Sequence, residues 1–179
     1  MKRHLPSLLL MAAIVLLDQG TKALVARSLD LHEYVPIVDG FLSLSHVRNR
    51  GAAFGILSDW DLPYQSVLLS VLSLAALGAI AAYFWRLPPA ASLPRAALAL
   101  VLGGAVGNLI DRARLGYVVD FVHVYWRRYQ WPDFNVADSA ITVGVALLVL
   151  DILRSPPDTS PAPAKPGIDA AAPTAGRID

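Results

Sequence analysis

The sequence predicts an all-α membrane protein: four transmembrane helices with a small β element at one membrane face. Three observations predict it. First, the chain is 55% hydrophobic and only 16% charged, with a mean hydropathy of +0.51, whereas a soluble domain carries about 25% charged residues. Second, the apolar residues gather into four long stretches. Third, the polar residues near those stretches sit at the ends that an up-down bundle brings to one face.

A span needs about 20 residues, at 1.5 Å rise through a hydrocarbon core of about 30 Å. Tyr64 to Trp85 meets this without a charge. The stretches from Leu5, from Leu93 and toward Leu150 meet it when a polar residue is admitted near one end. The expected spans are 5–26, 64–86, 93–111 and 135–153, within one transmembrane domain over residues 1–154. The first stretch follows Lys2 and Arg3 as a signal peptide would. No small-x-small cleavage site follows it, and Asp18, Gln19 and Lys22 continue in the same helical register. An uncleaved helix is therefore expected.

The connections differ in kind. Leu87 to Pro94 is a short proline-rich link. The loops 27–63 and 112–134 are longer and share one side. Asp39-Gly40, between β-rich runs, signals a tight hairpin. Tyr117 to Tyr125 is also extended in character. Trp60, Trp126 and Trp131 suit an interfacial belt. Residues 155–179 are rich in proline and alanine and lack aromatics, so a disordered tail is expected there. Four spans place both termini on one side, and Lys2 and Arg3 favour a cytoplasmic start. Counted over all the proposed loops and tails, with Lys2 and Arg3 included, Lys and Arg are split evenly and do not decide it.

Composition excludes several functions. A net charge of +1 gives no field to recruit nucleic acid. The chain has no cysteine, so disulfides, thiolate metal sites and cysteine nucleophiles are absent. His4, His32, His46 and His123 form no metal-ligand pair at helical spacing. His46 and His123 are expected at the surface or an interface. No nucleophile elbow, P-loop or His-Glu-x-x-His motif occurs.

Carboxylates remain, and an ionisable group near a bilayer is by default a functional hypothesis. Asp18 and Lys22 are spaced to pair on one helix face. Asn108 shares a face with Arg112, as Asn135 does with Asp138. Gly103 and Gly107, and Ala140 and Gly144, form small-xxx-small patterns that let helices approach closely. Asp111 is expected to cap the third helix and pair locally with Arg112, and Asn135 to cap the fourth. Asp138 lies in an apolar helix without a nearby basic partner. Asp120 lies among Val118, Val119, Phe121 and Val122, where a carboxylate has no packing value. Two aspartates sharing a site hold one proton between them. The charged member takes a proton from water and the neutral member polarises a carbonyl. A rival reading is a small ion- or proton-relay transporter subunit built on Asp18, Lys22, Arg112 and Asp138. A third is a non-catalytic assembly factor, which would tolerate loss of either aspartate.

Five elements in one order resemble the lipoprotein signal peptidase family, also called signal peptidase II. They are Asp18-Gln19-Gly20-Thr21-Lys22, Asn49-Arg50-Gly51-Ala52-Ala53-Phe54-Gly55, Gly103 to Arg112 with Asn108 and Asp111, Val119-Asp120-Phe121, and Phe134-Asn135-Val136-Ala137-Asp138-Ser139. The resemblance spans most of the chain and excludes the tail after Arg154. It implies that Asp120 and Asp138 are the catalytic aspartates. It implies that Asn49, Asn108, Arg112 and Asn135 line or support the site, and that Asp18 and Lys22 form a structural or substrate-contacting pair. It implies a prolipoprotein substrate bearing diacylglyceryl-cysteine, taken from membrane lipid and cleaved just before that cysteine. It implies neither metal nor organic cofactor, a bacterial inner-membrane location, a periplasmic site and β element, and cytoplasmic termini. A monomer is expected.

Overall fold

The computed structural model describes residues 4–51 and 64–154. The element order is α1 (Leu5–Ser28), β1 (Tyr34–Val38), β2 (Leu42–Asn49), α2 (Gln65–Arg86), α3 (Ser92–Leu115), β3 (Val118–Trp126), β4 (Tyr129–Gln130) and α4 (Val136–Arg154). All four helices are long and apolar enough to cross a membrane. Trp60, Ala52 to Gly55 and the proline-rich tail lie outside the described residues.

The burial pattern is inverted relative to a water-soluble bundle. Leu9, Leu16 and Leu24 on α1, Val71 and Leu72 on α2, and Val149 and Ile152 on α4 are exposed. Asp18, Lys22, Asn108 and Asp111 are buried. Hydrocarbon solvates the apolar faces, so the polar groups must find partners inside the protein. α3 is the central helix, packed against α1, α2 and α4. Phe84, Leu98 and Leu102 form its apolar core at the end away from the sheet.

Small residues bring the helices together. A side chain at Gly104 would meet the Ala137 carbonyl of α4, and one at Gly144 would come within 2.6 Å of the Ala97 carbonyl of α3. A Cβ on Gly107 would come within 2.6 Å of the Asp18 carboxylate. The expected pattern at Gly103 and Gly107 is thus the α1 contact, while Gly104 and Gly144 form the α3–α4 seam. Gly104→Ala is predicted to push α4 off α3 and to destabilise the protein by about 1–3 kcal/mol, as overpacking does. A thermal melt of the purified variant reads this out, and an unchanged melting temperature would contradict it.

α1 and α3 run further than the expected spans, to Ser28 and Leu115. α3 stops at Gly116, whose left-handed φ of 79° ends the helix. The charge at Asp111 does not end it, because Lys22 neutralises that carboxylate inside the bundle. Asn108, Asp111 and Arg112 therefore project from within α3 rather than from its end.

The β element is a four-stranded antiparallel sheet in the order β1-β2-β3-β4. The Asp39-Gly40 hairpin forms as a three-residue turn closed by Val38 against Leu42, with Gly40 at φ 76°. Pro36 sits on the edge strand, where its missing N–H is harmless. Between Leu44 and Val47, β2 carries a bulge: Ser45 and His46 together oppose Phe121 of β3. His46 is buried rather than superficial, because the bulge turns its ring inward, where Nδ1 donates to the Leu29 carbonyl at 3.0 Å.

Candidate active site

β3 leaves α3 at once and runs back across the ends of the helices. This places Asp120 beside the first turn of α4, where Asp138 lies. Asp120 is 1% exposed. Its two oxygens accept from Asn135 Nδ2 at 2.7 Å and from Asn49 Nδ2 at 2.9 Å. Asp138 accepts from Asn108 Nδ2 at 2.8 Å and from the Asn135 N–H at 3.3 Å.

Asn135 joins the two carboxylates. It caps α4, as expected, by accepting the Asp138 N–H on its side-chain oxygen at 2.9 Å. The same side chain turns its amide nitrogen to Asp120. The cap therefore fixes Asp138 through the backbone and Asp120 through the side chain. Burial, and then the neighbouring Asp138 charge, push the Asp120 carboxyl up to about 7, against the hydrogen bonds from Asn49 and Asn135 and the charge of Lys22.

Behind the pair lies a buried ionic cluster. Lys22 Nζ reaches Asp18 at 2.8 Å, Asp111 at 2.9 Å and Asn108 Oδ1 at 2.9 Å. These acceptors satisfy its three protons. Asn108 thus accepts from Lys22 and donates to Asp138, linking cluster to pair. Asp18 also accepts the Ala137 N–H in the first turn of α4 at 2.9 Å, where the helix dipole favours an anion. Asp18 and Lys22 are therefore a three-way tie among α1, α3 and α4.

Asp111 does not pair locally with Arg112. It faces Lys22, and it accepts the Val119 N–H at 3.1 Å and Gln19 Nε2 at 2.9 Å. On a helix, residues 111 and 112 point in different directions, and only Asp111 faces α1. It thereby pins the start of β3 next to Asp120. Gln19, which also donates to the Gly107 carbonyl at 3.2 Å, is a second supporting residue that sequence reasoning left unassigned. Its only sequence signal was its place between Asp18 and Lys22. Arg112 turns the other way and donates to the Gly51 carbonyl at 3.1 Å, holding the chain after β2 against the site.

The structure thus brings together Asp18, Lys22, Asn49, Asn108, Arg112, Asp120, Asn135 and Asp138. Asp138 also opens onto a cavity of about 290 Å³ lined by Trp131, Phe134, Ser139, Thr142 and Val143. Among the described residues, no group of three His, Cys, Asp or Glu is disposed to hold a metal ion.

Four helices able to span a membrane, together with the family match that follows, define the class: an aspartic-type peptidase of the membrane. The family described as signal peptidase (SPase) II matches residues 10–154. The lipoprotein signal peptidase of Geobacter sulfurreducens is 52% identical over 140 residues, 78% of this chain and 86% of that one. That of Syntrophus aciditrophicus is 44% identical over 161 residues, 89% of this chain and 100% of that one. A solved bacterial membrane enzyme superposes with a TM-score of 0.77 at 31% identity, covering 89% of this chain and 94% of that one. The chain belongs to the signal peptidase II family, as its motifs led us to expect.

Proposed function

We propose that this protein removes the signal peptide from diacylglyceryl-modified bacterial prolipoproteins, cutting before the lipidated cysteine, with Asp120 and Asp138 as its catalytic pair. The observation that carries the proposal is Asn135, which holds both carboxylates from one side chain and one helix cap. In this reading a water molecule lies between the two aspartates. The ionised carboxylate takes its proton as oxygen attacks the scissile carbonyl. The protonated one donates to the carbonyl oxygen, and the amine leaves with a proton passed through the pair. No covalent enzyme intermediate forms.

The surroundings suit such a substrate. The cavity beside Asp138 has Trp131, Phe134 and Val143 as apolar walls, with Ser139 and Thr142 between them, and it suits the apolar part of a membrane-borne substrate. The motif resemblance supports an inner-membrane location with a periplasmic site and cytoplasmic termini. The relay reading has less support. Between Arg95 and Gly107 the buried residues of α3 are Ala97, Leu98, Ala99, Val101, Leu102, Gly103 and Gly104, so a proton path through the bundle would find no titratable step on that helix.

A pH profile tests the mechanism. Asp120 keeps its proton up to about 7. Above that point the pair is doubly ionised and has no acid to polarise the carbonyl. kcat/KM on a modified precursor is therefore expected to fall as pH rises through about 7. A rate that stays flat well into the alkaline range would contradict a shared-proton pair.

A further inference from the structure

We propose that Asp133, latched to Ser45 in the β2 bulge, is a positioning residue that aims Asn135 at the catalytic pair; its kinetic consequence rests on the function proposed above.

Three consecutive residues ahead of α4 are each fastened to the sheet. Ser45 Oγ donates to Asp133 Oδ1 at 2.6 Å, the short length of a charge-assisted bond. The Phe134 N–H donates to the Val122 carbonyl at 3.1 Å, and its own carbonyl accepts from Phe121 at 3.0 Å and Val122 at 2.8 Å. Asn135 then reaches Asp120. The first of these anchors is made by side chains alone and involves neither carboxylate of the pair, so a substitution can remove it without touching the backbone or the pair.

The alternation of β2 places Ser45 for the latch, and the bulge begins there. A regular β2 would alternate its side chains against β3 without a break. Ser43 and Ser45 lie on the buried side of that alternation, with Ser45 at 0% exposure on Asp133, and the extra residue of the bulge adds the neighbouring His46 to the buried side. Bulges recur beside active sites because they re-aim a side chain in this way. The groups facing Asp133 come from all three principal strands. Besides Ser45 on β2, His123 Nδ1 on β3 lies 3.2 Å from the same oxygen, near enough to feel its charge but off the line of a hydrogen bond. Tyr34 on β1 packs edge-on against His123 at 5.1 Å between ring centroids. Burial and the Asp133 carboxylate together hold the Tyr34 phenol above its usual range. Neither Asp133 nor Ser45 touches Asp120 or Asp138 in any of these contacts, and Asn135, two residues beyond Asp133, is the link to both carboxylates.

The test uses the full chain, purified in detergent, as wild type, Ser45→Ala, Asp133→Ala and Asp133→Asn. Loosening Asn135 weakens a hydrogen bond that favours ionised Asp120. Ser45→Ala and Asp133→Ala should therefore raise the carboxyl titration of Asp120, followed by carbon-13 NMR, by about half a pH unit. On a modified precursor they should lower kcat by about tenfold with KM little changed, the signature of misplaced groups rather than lost binding. Asp133→Asn keeps an oxygen for Ser45 and should restore both readouts toward wild type. The Ser45→Ala, Asp133→Ala double variant should be no worse than either single one, since both remove the same bond. Wild-type titration and turnover in the two alanine variants would overturn the proposal, as would a fall in kcat without a shift in titration. If wild type fails to cleave the precursor, the substrate assignment fails, and the titration alone still decides the latch.

Discussion

Replacing either aspartate of the pair by asparagine should leave a folded protein that does not cleave. The expected loss for Asp120→Asn and for Asp138→Asn is about a thousandfold or more, since each removes both an acid and a base from the cycle. The fold should survive because, among the described residues, neither carboxylate carries an ion pair. Their bonds run to Asn49, Asn108 and Asn135, and an amide keeps one acceptor oxygen for them. Turnover on a modified precursor, with circular dichroism as the folding control, checks the result. A folded Asp120→Asn protein with near-normal turnover would remove Asp120 from the chemistry.

Lys22→Met should have the largest effect on stability. Lys22 is 3% exposed and serves Asp18 and Asp111 at once. Its removal leaves two buried carboxylates without a cation, and breaking such a cluster costs about 3–5 kcal/mol. That is a large part of the 5–15 kcal/mol that typically holds a domain together. The variant is expected to melt far below wild type or to fail to accumulate. Adding Asp18→Asn and Asp111→Asn to Lys22→Met should recover part of the loss, because the stranded charges go with it. A Lys22→Met protein that melts with wild type would show that the cluster contributes nothing. The same cluster sets the floor of the site, since Asn108 connects Lys22 to Asp138.

The parts of this architecture that were legible in the sequence are those encoded over short distances. Four apolar runs gave the helices, and Asp39-Gly40 gave the hairpin. Asp120 and Asp138 stood out because a carboxylate among valines, or inside an apolar helix, has no packing value. The helix ends were less legible, since a charge such as Asp111 resembles a boundary until its partner is known. That partner, Lys22, lies on another helix far back in the chain, whereas Arg112 is adjacent and suggests itself first. The bulge at Ser45 and His46 depends on the register between β2 and β3, which no local pattern announces. For the same reason the sequence suggests a surface or interface position for His46 and nothing in it singles out Asp133. Gly104 was hidden behind the more regular Gly103 and Gly107 spacing, although it is Gly104 that meets α4.

The most direct measurement is mass spectrometry of the products when the purified protein is given a prolipoprotein with and without its diacylglyceryl group. The account predicts a single cut just before the modified cysteine, made by wild type and absent with Asp120→Asn or Asp138→Asn, and little or no cleavage of the unmodified precursor. Cleavage elsewhere, equal cleavage of both precursors, or cleavage that persists in both aspartate variants would contradict it.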